Sequence, residues 1–313
     1  MIISPLIHVL LFVMMSLRIC SSFFTTSARV RRRHPIIPSM STQYTINDDV
    51  CPPVDEGELR SIVTKHCRTL DQYLENRPIA AHTREAFSQI YDKVDPSRKI
   101  ILDSGCGTGR STLLLGERYP DHTIIGVDRS FVRLNRNNLL QSKSFLSNED
   151  DNDGDCEDFM ANSRNLPTSS QRPFQAISSN VLLVRAELTD FWRCIMQTEW
   201  VISQHYILYP NPYPKKNRIK KRFYAHPSFP LILKVGGTIT MRSNWEGYLK
   251  EFAQSIVYAY DFYKGEDTLE NFAEQYYKRA LDGPKQRIDK TVAWTNFEKK
   301  YDDVGEKTYE LIL

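Results

Sequence analysis

The order of apolar and polar positions changes period near residue 98, and that change divides the chain. Before it, Leu59, Ile62, Val63 and His66 recur at helical spacing, and Phe87, Ile90, Tyr91 and Val94 do so after Pro78. Such a stripe lies on one face of a helix, so residues 55–94 are predicted helical. After it come short apolar runs. Lys99-Ile-Ile-Leu-Asp103 and Thr123-Ile-Ile-Gly-Val-Asp128 each end in an acid, with a glycine loop at 105–109 and a helical stretch at 110–119 between them. Strand, loop, helix, strand at this length is a βαβ unit and implies a parallel sheet. The alternation continues with strand Val181–Val184, helix Glu187–Gln197, strand His205–Tyr209, and helix Pro227–Lys234 closed by Gly236-Gly237. Thr238–Arg242 is the fifth strand, Trp245–Tyr260 an amphipathic helix, and Thr308–Leu313 the last strand. The chain carries no internal repeat.

Two stretches break this rhythm. Seven of the ten residues from Glu149 to Asp158 are acidic, and Ser, Asn and Pro dominate afterwards. That composition reads as a solvated, disordered insertion covering about residues 142–176, and it does not complete the ligand spacing of a calcium loop. The other stretch is the N-terminus. Pro5 to Leu17 is almost wholly apolar, too short to span a bilayer, and suits a signal h-region, although His8 is the only basic-type residue before it ends. Ser21 and Ser22 can end a cleavage site before Phe23; Arg29, Arg31, Arg32 and Arg33 follow, with no acid before Asp48. This is transit-peptide composition. The combination resembles the bipartite plastid presequence of algae with secondary plastids. A mitochondrial presequence, or an unstructured N-terminus with Met40 as an internal start, are the other readings. Residues 1–45 are therefore set apart as a targeting segment. Residues 46–313 are expected to form the functional domain, with 46–97 as a helical N-terminal extension.

Composition changes this picture little. The chain has 313 residues, 41% hydrophobic and 25% charged, which is ordinary for a globular domain. A net charge of +3 means that any nucleic-acid argument must rest on local patches. The six cysteines include no Cys-x-x-Cys pair, which argues against a zinc site and a disulfide framework and for a reducing compartment. No metal, no stable membrane insertion and a monomeric chain are expected.

Candidate chemistry sits first at the glycine loop, Asp103-Ser-Gly105-Cys-Gly107-Thr-Gly109. It is neither the dinucleotide pattern, since Arg110 and Thr112 stand where glycine is needed, nor a phosphate loop, since no Gly-Lys-[Ser/Thr] follows. Its spacing resembles motif I of the class I methyltransferases. That resemblance implies S-adenosylmethionine as cofactor. Asp103 can accept from its ammonium, Asp128 can bind the ribose hydroxyls, and Glu187 is placed to meet the adenine amine. The bland alternative is a glycine turn with acids that only cap helices. Three acids at successive strand ends favour the ligand reading.

After the fourth strand comes Tyr209-Pro210-Asn211-Pro212-Tyr213-Pro214-Lys215-Lys216. This resembles the Phe-Pro-Asp-Pro-Trp-x-Lys signature of bacterial-type tRNA (guanine-N7)-methyltransferases, followed by their basic stretch, here six Lys or Arg from Lys215 to Arg222. Met241-Arg-Ser-Asn244-Trp245-Glu-Gly-Tyr248 and Thr295-Asn296-Phe297-Glu298 resemble two further blocks of that family, in its order. The resemblance covers residues 98–313 outside the insertion. It implies a Rossmann-like α/β fold with a mostly parallel seven-stranded sheet and helices on both faces, and tRNA as partner. It implies cofactor contacts at Asp103, Gly105, Gly107, Gly109, Asp128, Glu187 and Asn211. Asn211 stands at the catalytic aspartate. Lys215, Asn244, Thr295, Asn296, Phe297 and Glu298 match substrate contacts. Asparagine replaces aspartate at 211 and 244. Asn211-Pro212-Tyr213, with its tyrosine one position earlier, also resembles the Asn-Pro-Pro-Tyr loop of exocyclic-amine methyltransferases, so methylation of such an amine is an alternative. A relative that binds cofactor or RNA without catalysis is another. His226 reads as a packing or helix-start residue without a catalytic role.

Overall fold

A computed structural model of the protein describes residues 53–135, 174–264 and 270–313. The targeting segment and the acidic run lie outside the described residues.

Three helices open the described chain: α1 (Glu56–Arg68), α2 (Leu70–Glu75) and α3 (Ala81–Tyr91). Asp55 starts α1 by accepting the backbone N–H of Glu58 at 3.0 Å, as an N-cap carboxylate does. The chain then runs through β1 (Ile100–Ser104), α4 (Arg110–Arg118), β2 (Thr123–Asp128), α5 (Phe131–Asn135), β3 (Phe174–Ser178), β4 (Val181–Arg185), α6 (Leu188–Ile195) and β5 (Ile202–Leu208). Two 3₁₀ turns, Lys216–Lys221 and Phe223–Ala225, precede α7 (Phe229–Val235), β6 (Thr238–Ser243), α8 (Glu246–Tyr263), α9 (Glu270–Asp282), β7 (Lys285–Gln286), α10 (Asn296–Asp303) and β8 (Tyr309–Ile312).

The strands form one sheet in the order β3-β4-β2-β1-β5-β6-β8-β7. The five from β4 to β6 pair in parallel, while β3 on β4, β8 on β6 and β7 on β8 are antiparallel. Every residue of β1 and β2 is buried, because helices cover both faces of parallel strands. Alternation along the strands then separates two cores. Ile100, Leu102, Ile125 and Val127 pack into the larger, with Val63 of α1, Phe87 of α3, Trp192 of α6 and Phe252 of α8. Ile101 and Ile124 point the other way, against Leu115 of α4.

The sheet has eight strands rather than the seven expected. Two strands were not read from the sequence: β7 is a two-residue pairing on β8, and the additional edge strand is β3, which pairs with β4 in a hairpin. It occupies residues assigned from composition to the insertion, whose end must move back from 176 to before Phe174. An edge strand of five residues behind a Ser- and Pro-rich stretch gives almost no periodic signal. Helix α9 was also not anticipated: its buried Tyr276 and Ala280 are embedded among charged positions. The helix predicted at Pro227 begins at Phe229. Among the described residues no helix is long and apolar enough to cross a membrane.

The strand order reverses between β1 and β5, since the chain first builds outward through β2 and β4 and then returns. Open α/β sheets bind ligands at that point, outside the carboxyl ends of the strands.

Candidate functional site

The glycine loop leaves β1 through left-handed conformations at Gly105 (φ 81°) and Gly107 (φ 60°). A Cβ at either position would meet nothing within 4 Å, so glycine is needed there for torsion rather than packing, and open space lies in front of the loop. The loop is pinned to β2. Gly105 and Cys106 donate to the Val127 carbonyl at 2.8 and 3.1 Å, and Gly107 donates to Asp128 Oδ2 at 3.0 Å. Asp128 Oδ1 accepts from Ser130 N at 2.7 Å, and the Arg133 guanidinium stands 3.4 Å away. Burial raises the Asp128 pKa, opposed chiefly by Arg133.

Asp103 lies deeper. Its Oδ2 accepts from Ser111 Oγ at 2.6 Å and Thr112 Oγ1 at 2.7 Å, both at the start of α4. Burial pushes this carboxyl up to about 6 despite the two hydroxyl donors. Thr112 can come this close because β2 carries Gly126 opposite it, where a Cβ would collide with Thr112 Oγ1 and stand 2.9 Å from Leu183. Glu187, just past β4, is half-exposed. Its backbone N–H donates to Thr83 Oγ1 of α3 at 3.1 Å, and its carboxylate stands 3.9 Å from Arg129. Ala186 N donates to the Asp128 carbonyl at 3.2 Å. Asp103, Gly105, Gly107, Gly109, Asp128 and Glu187 thus share the carboxyl edge of β1, β2 and β4.

The proline loop follows β5 on the same edge. Tyr209 (φ 51°) and Tyr213 (φ 45°) are both left-handed, an uncommon state for aromatic residues. Exposed Asn211 accepts the Tyr213 N–H through Oδ1 at 3.0 Å, closing an Asx turn. Lys215 is exposed, as are Lys216, Lys220 and Lys221 of the following 3₁₀ turn. Arg222 stands apart from the exposed lysines of this basic stretch, because only 1% of the residue is exposed. Its Nε donates to the Pro212 carbonyl at 2.9 Å, Nη2 to the Tyr213 carbonyl at 3.2 Å, and Nη1 to Glu251 Oε2 at 3.0 Å. Counting charges in sequence cannot separate a buried arginine from its exposed neighbours.

The C-terminal block reaches the same edge. Thr295 caps α10 by accepting Glu298 N at 3.0 Å, Asn296 is half-buried, and Phe297 is exposed. Glu298 is fully buried, which corrects its expected direct substrate contact. Arg242 Nη1 donates to it at 3.0 Å, Arg287 pairs with the same oxygen, and Trp294 N donates to the other at 2.6 Å. Those donors occupy both oxygens, so Glu298 shapes the block from within. Arg110 Nε donates to the Ala293 carbonyl at 3.3 Å, tying the block to the first residue after the glycine loop. Tyr209 N donates to the Arg242 carbonyl at 2.9 Å, tying the proline loop to β6. Asn244 is half-buried in the turn from β6 into α8.

A family model described as "Putative methyltransferase" matches residues 97–311, most of the chain and every element of this site except Thr83. The chain belongs to this methyltransferase family. Its sheet is the mostly parallel, Rossmann-like α/β sheet expected from the sequence, with β8 inserted antiparallel between β6 and β7 and one additional edge strand, β3. A tRNA (guanine-N(7)-)-methyltransferase of Acinetobacter baylyi is 22% identical over 224 residues, which are 70% of this chain and 71% of that one. A trans-aconitate 2-methyltransferase of an Acidovorax species is 42% identical over 64 residues, so the chain spans only 25% of that relative's length. A solved structure described as "Structure of an Antibiotic Related Methyltransferase" aligns with a TM-score of 0.40 and 12% identity, covering 76% of this chain and 96% of its own.

Ser111, Thr112 and Thr83 were absent from the sequence-based site, and Arg222 entered it only as one charge of the basic stretch. Hydroxyls in the first turn after a glycine loop are a usable signal for the first two. Nothing local marks Thr83, whose partner lies 104 residues away.

Proposed function

We propose that this methyltransferase uses S-adenosylmethionine and methylates N7 of a guanine in tRNA. The glycine loop fits such a cofactor: open space fronts Gly105 and Gly107, and carboxylates close the ends of β1 and β2. When bound, the cofactor supplies a sulfonium methyl group. Asp103 holds negative charge beside the loop, Asp128 presents its carboxylate at the β2 end, and Glu187 stands at the β4 end.

Guanine N7 is a lone-pair nucleophile. Its electron pair forms the new N–C bond while the C–S bond breaks, and no proton has to leave. The protein therefore needs no general base and contributes chiefly by in-line positioning. The exposed lysines after Pro214 supply charge for a phosphate backbone, and the Tyr213 ring and exposed Phe297 offer faces for stacking.

The observation that favours N7 over an exocyclic amine is the internal use of the loop's acceptors. An amine reading needs the Asn211 oxygen and a prolyl carbonyl to grip the N–H groups. Here Asn211 Oδ1 accepts from Tyr213 N, and the Pro212 carbonyl accepts from Arg222 at 2.9 Å. A guanine N7 demands neither acceptor. The test is methyl transfer from labelled cofactor to bulk tRNA, followed by nucleoside mass spectrometry. N7-methylguanosine as the sole product supports the reading, and an exocyclic N-methyl nucleoside would replace it.

A further inference from the structure

The buried guanidinium of Arg222 lies beneath the loop that carries the two left-handed tyrosines, and no step described so far uses it. It spans three parts of the chain. It holds the carbonyls of Pro212 and Tyr213, with Nε also 3.4 Å from the latter. On its far side Nη1 meets Tyr224 Oη at 2.6 Å and Glu251 Oε2 at 3.0 Å. Glu251 is itself bound by Tyr224, and its other oxygen accepts the Val54 N–H, just before α1, at 2.7 Å. The guanidinium also lies over the Trp245 ring, 4.7 Å from its centroid, next to Asn244.

We propose that Arg222 is a positioning residue for methyl transfer, fixing the proline loop through two carbonyls and touching no phosphate. The proposal rests on the methyltransferase reading of this loop. Several observations point to it. The five residues from Pro210 to Pro214 include three prolines, Pro210, Pro212 and Pro214, so the stretch has few N–H groups with which to hold itself. Left-handed backbone at Tyr213 persists only if neighbouring contacts over-determine it. Arg222 supplies those contacts from a planar fork that a lysine cannot reproduce. Where asparagine stands in place of a charged acid at 211, catalysis leans on geometry, and misplacing a reacting group by about 1 Å costs roughly 100-fold in rate.

Arg222→Lys tests this. Lysine keeps the charge opposite Glu251 but reaches one carbonyl, not both. The expected result is turnover at saturating tRNA reduced by about 10- to 100-fold. The tRNA KM should stay within about threefold, the salt dependence of tRNA binding should not change, and hydrogen exchange should be faster in the peptide spanning residues 209–216. A second variant, Arg222→Met with Glu251→Met, removes both buried charges together, which commonly restores stability. It should recover the thermal midpoint while turnover stays low. Wild-type turnover with unchanged loop exchange in Arg222→Lys overturns the proposal. So does turnover that recovers together with the midpoint in the double variant, since Arg222 would then act only on stability. A raised tRNA KM with a shallower salt slope would make Arg222 a phosphate contact and overturn it too. If the unsubstituted protein methylates no RNA, the functional reading fails by itself, and loop exchange in Arg222→Lys still decides whether the clamp exists.

Discussion

Replacing Asp128 by alanine separates the two tasks assigned to this carboxylate. The first is structural. Asp128 accepts backbone N–H groups from Gly107 at 3.0 Å and Ser130 at 2.7 Å. A hydrogen bond to a charged group contributes about 1.5–3 kcal/mol. Against this stands the cost of burying the charge, visible in the raised pKa. The net loss of stability is expected at about 1–3 kcal/mol, or a midpoint lower by roughly 2–10 °C for a domain of this size. The second, under the proposed cofactor placement, is holding the ribose diol. Losing that contact removes about 1.5–3 kcal/mol, equivalent to about 10- to 150-fold in cofactor Kd. Asp128→Asn is the companion variant, since its amide oxygen can keep one backbone N–H while the negative charge is gone. Calorimetric titration with S-adenosylmethionine and differential scanning calorimetry measure the two tasks separately. A folded Asp128→Ala protein whose cofactor affinity stays within twofold of the unsubstituted chain would refute this placement of the cofactor.

Three further outcomes follow from the site. Cofactor affinity should fall about tenfold per unit as pH drops below about 6, where buried Asp103 takes up a proton. Stability should move the other way. The folded pKa of about 6 lies above the ordinary aspartate value of 3.8, so the stability linked to this group is fully present below about 3.8 and is lost as pH rises through about 6. Asp103→Asn should flatten both profiles, and an unchanged affinity profile in that variant would sink the assignment. Making Lys215, Lys216, Lys220 and Lys221 neutral should lower the log–log salt slope of tRNA binding by roughly one per phosphate contact removed, whereas an unaltered slope would place the RNA elsewhere. Asn211→Asp should keep or raise turnover, because a carboxylate still accepts the Tyr213 N–H and opposes the cationic product; a loss as large as that of Asn211→Ala would contradict this.

The parallel strands, the glycine loop and the acids at the strand ends were legible in sequence because buried parallel strands write their burial as uninterrupted apolar runs. The proline loop was legible because proline and asparagine at fixed spacing leave few backbone choices. Burial of individual charges was not. Arg222 sits in a run of exposed lysines, and Glu298 beside Lys299 and Lys300, yet both point inward to partners 29 and 56 residues away, Glu251 and Arg242. Those pairings come from tertiary packing, which no local window records. The β3 strand failed for a related reason, since its stability comes from pairing with β4 rather than from its own pattern.

The central claim is the target atom. Unmodified tRNA incubated with the protein and S-adenosylmethionine should acquire a methyl group at an alkali-labile position. Mild alkali followed by strand scission then cuts the RNA at a discrete guanine, because N7-methylguanosine opens under alkali and an N-methylated exocyclic amine does not. One scission site, coinciding with N7-methylguanosine by nucleoside mass spectrometry, is the predicted result. Robust methylation without any alkali-sensitive site, or measurable cofactor binding without methylation of any RNA, would contradict it.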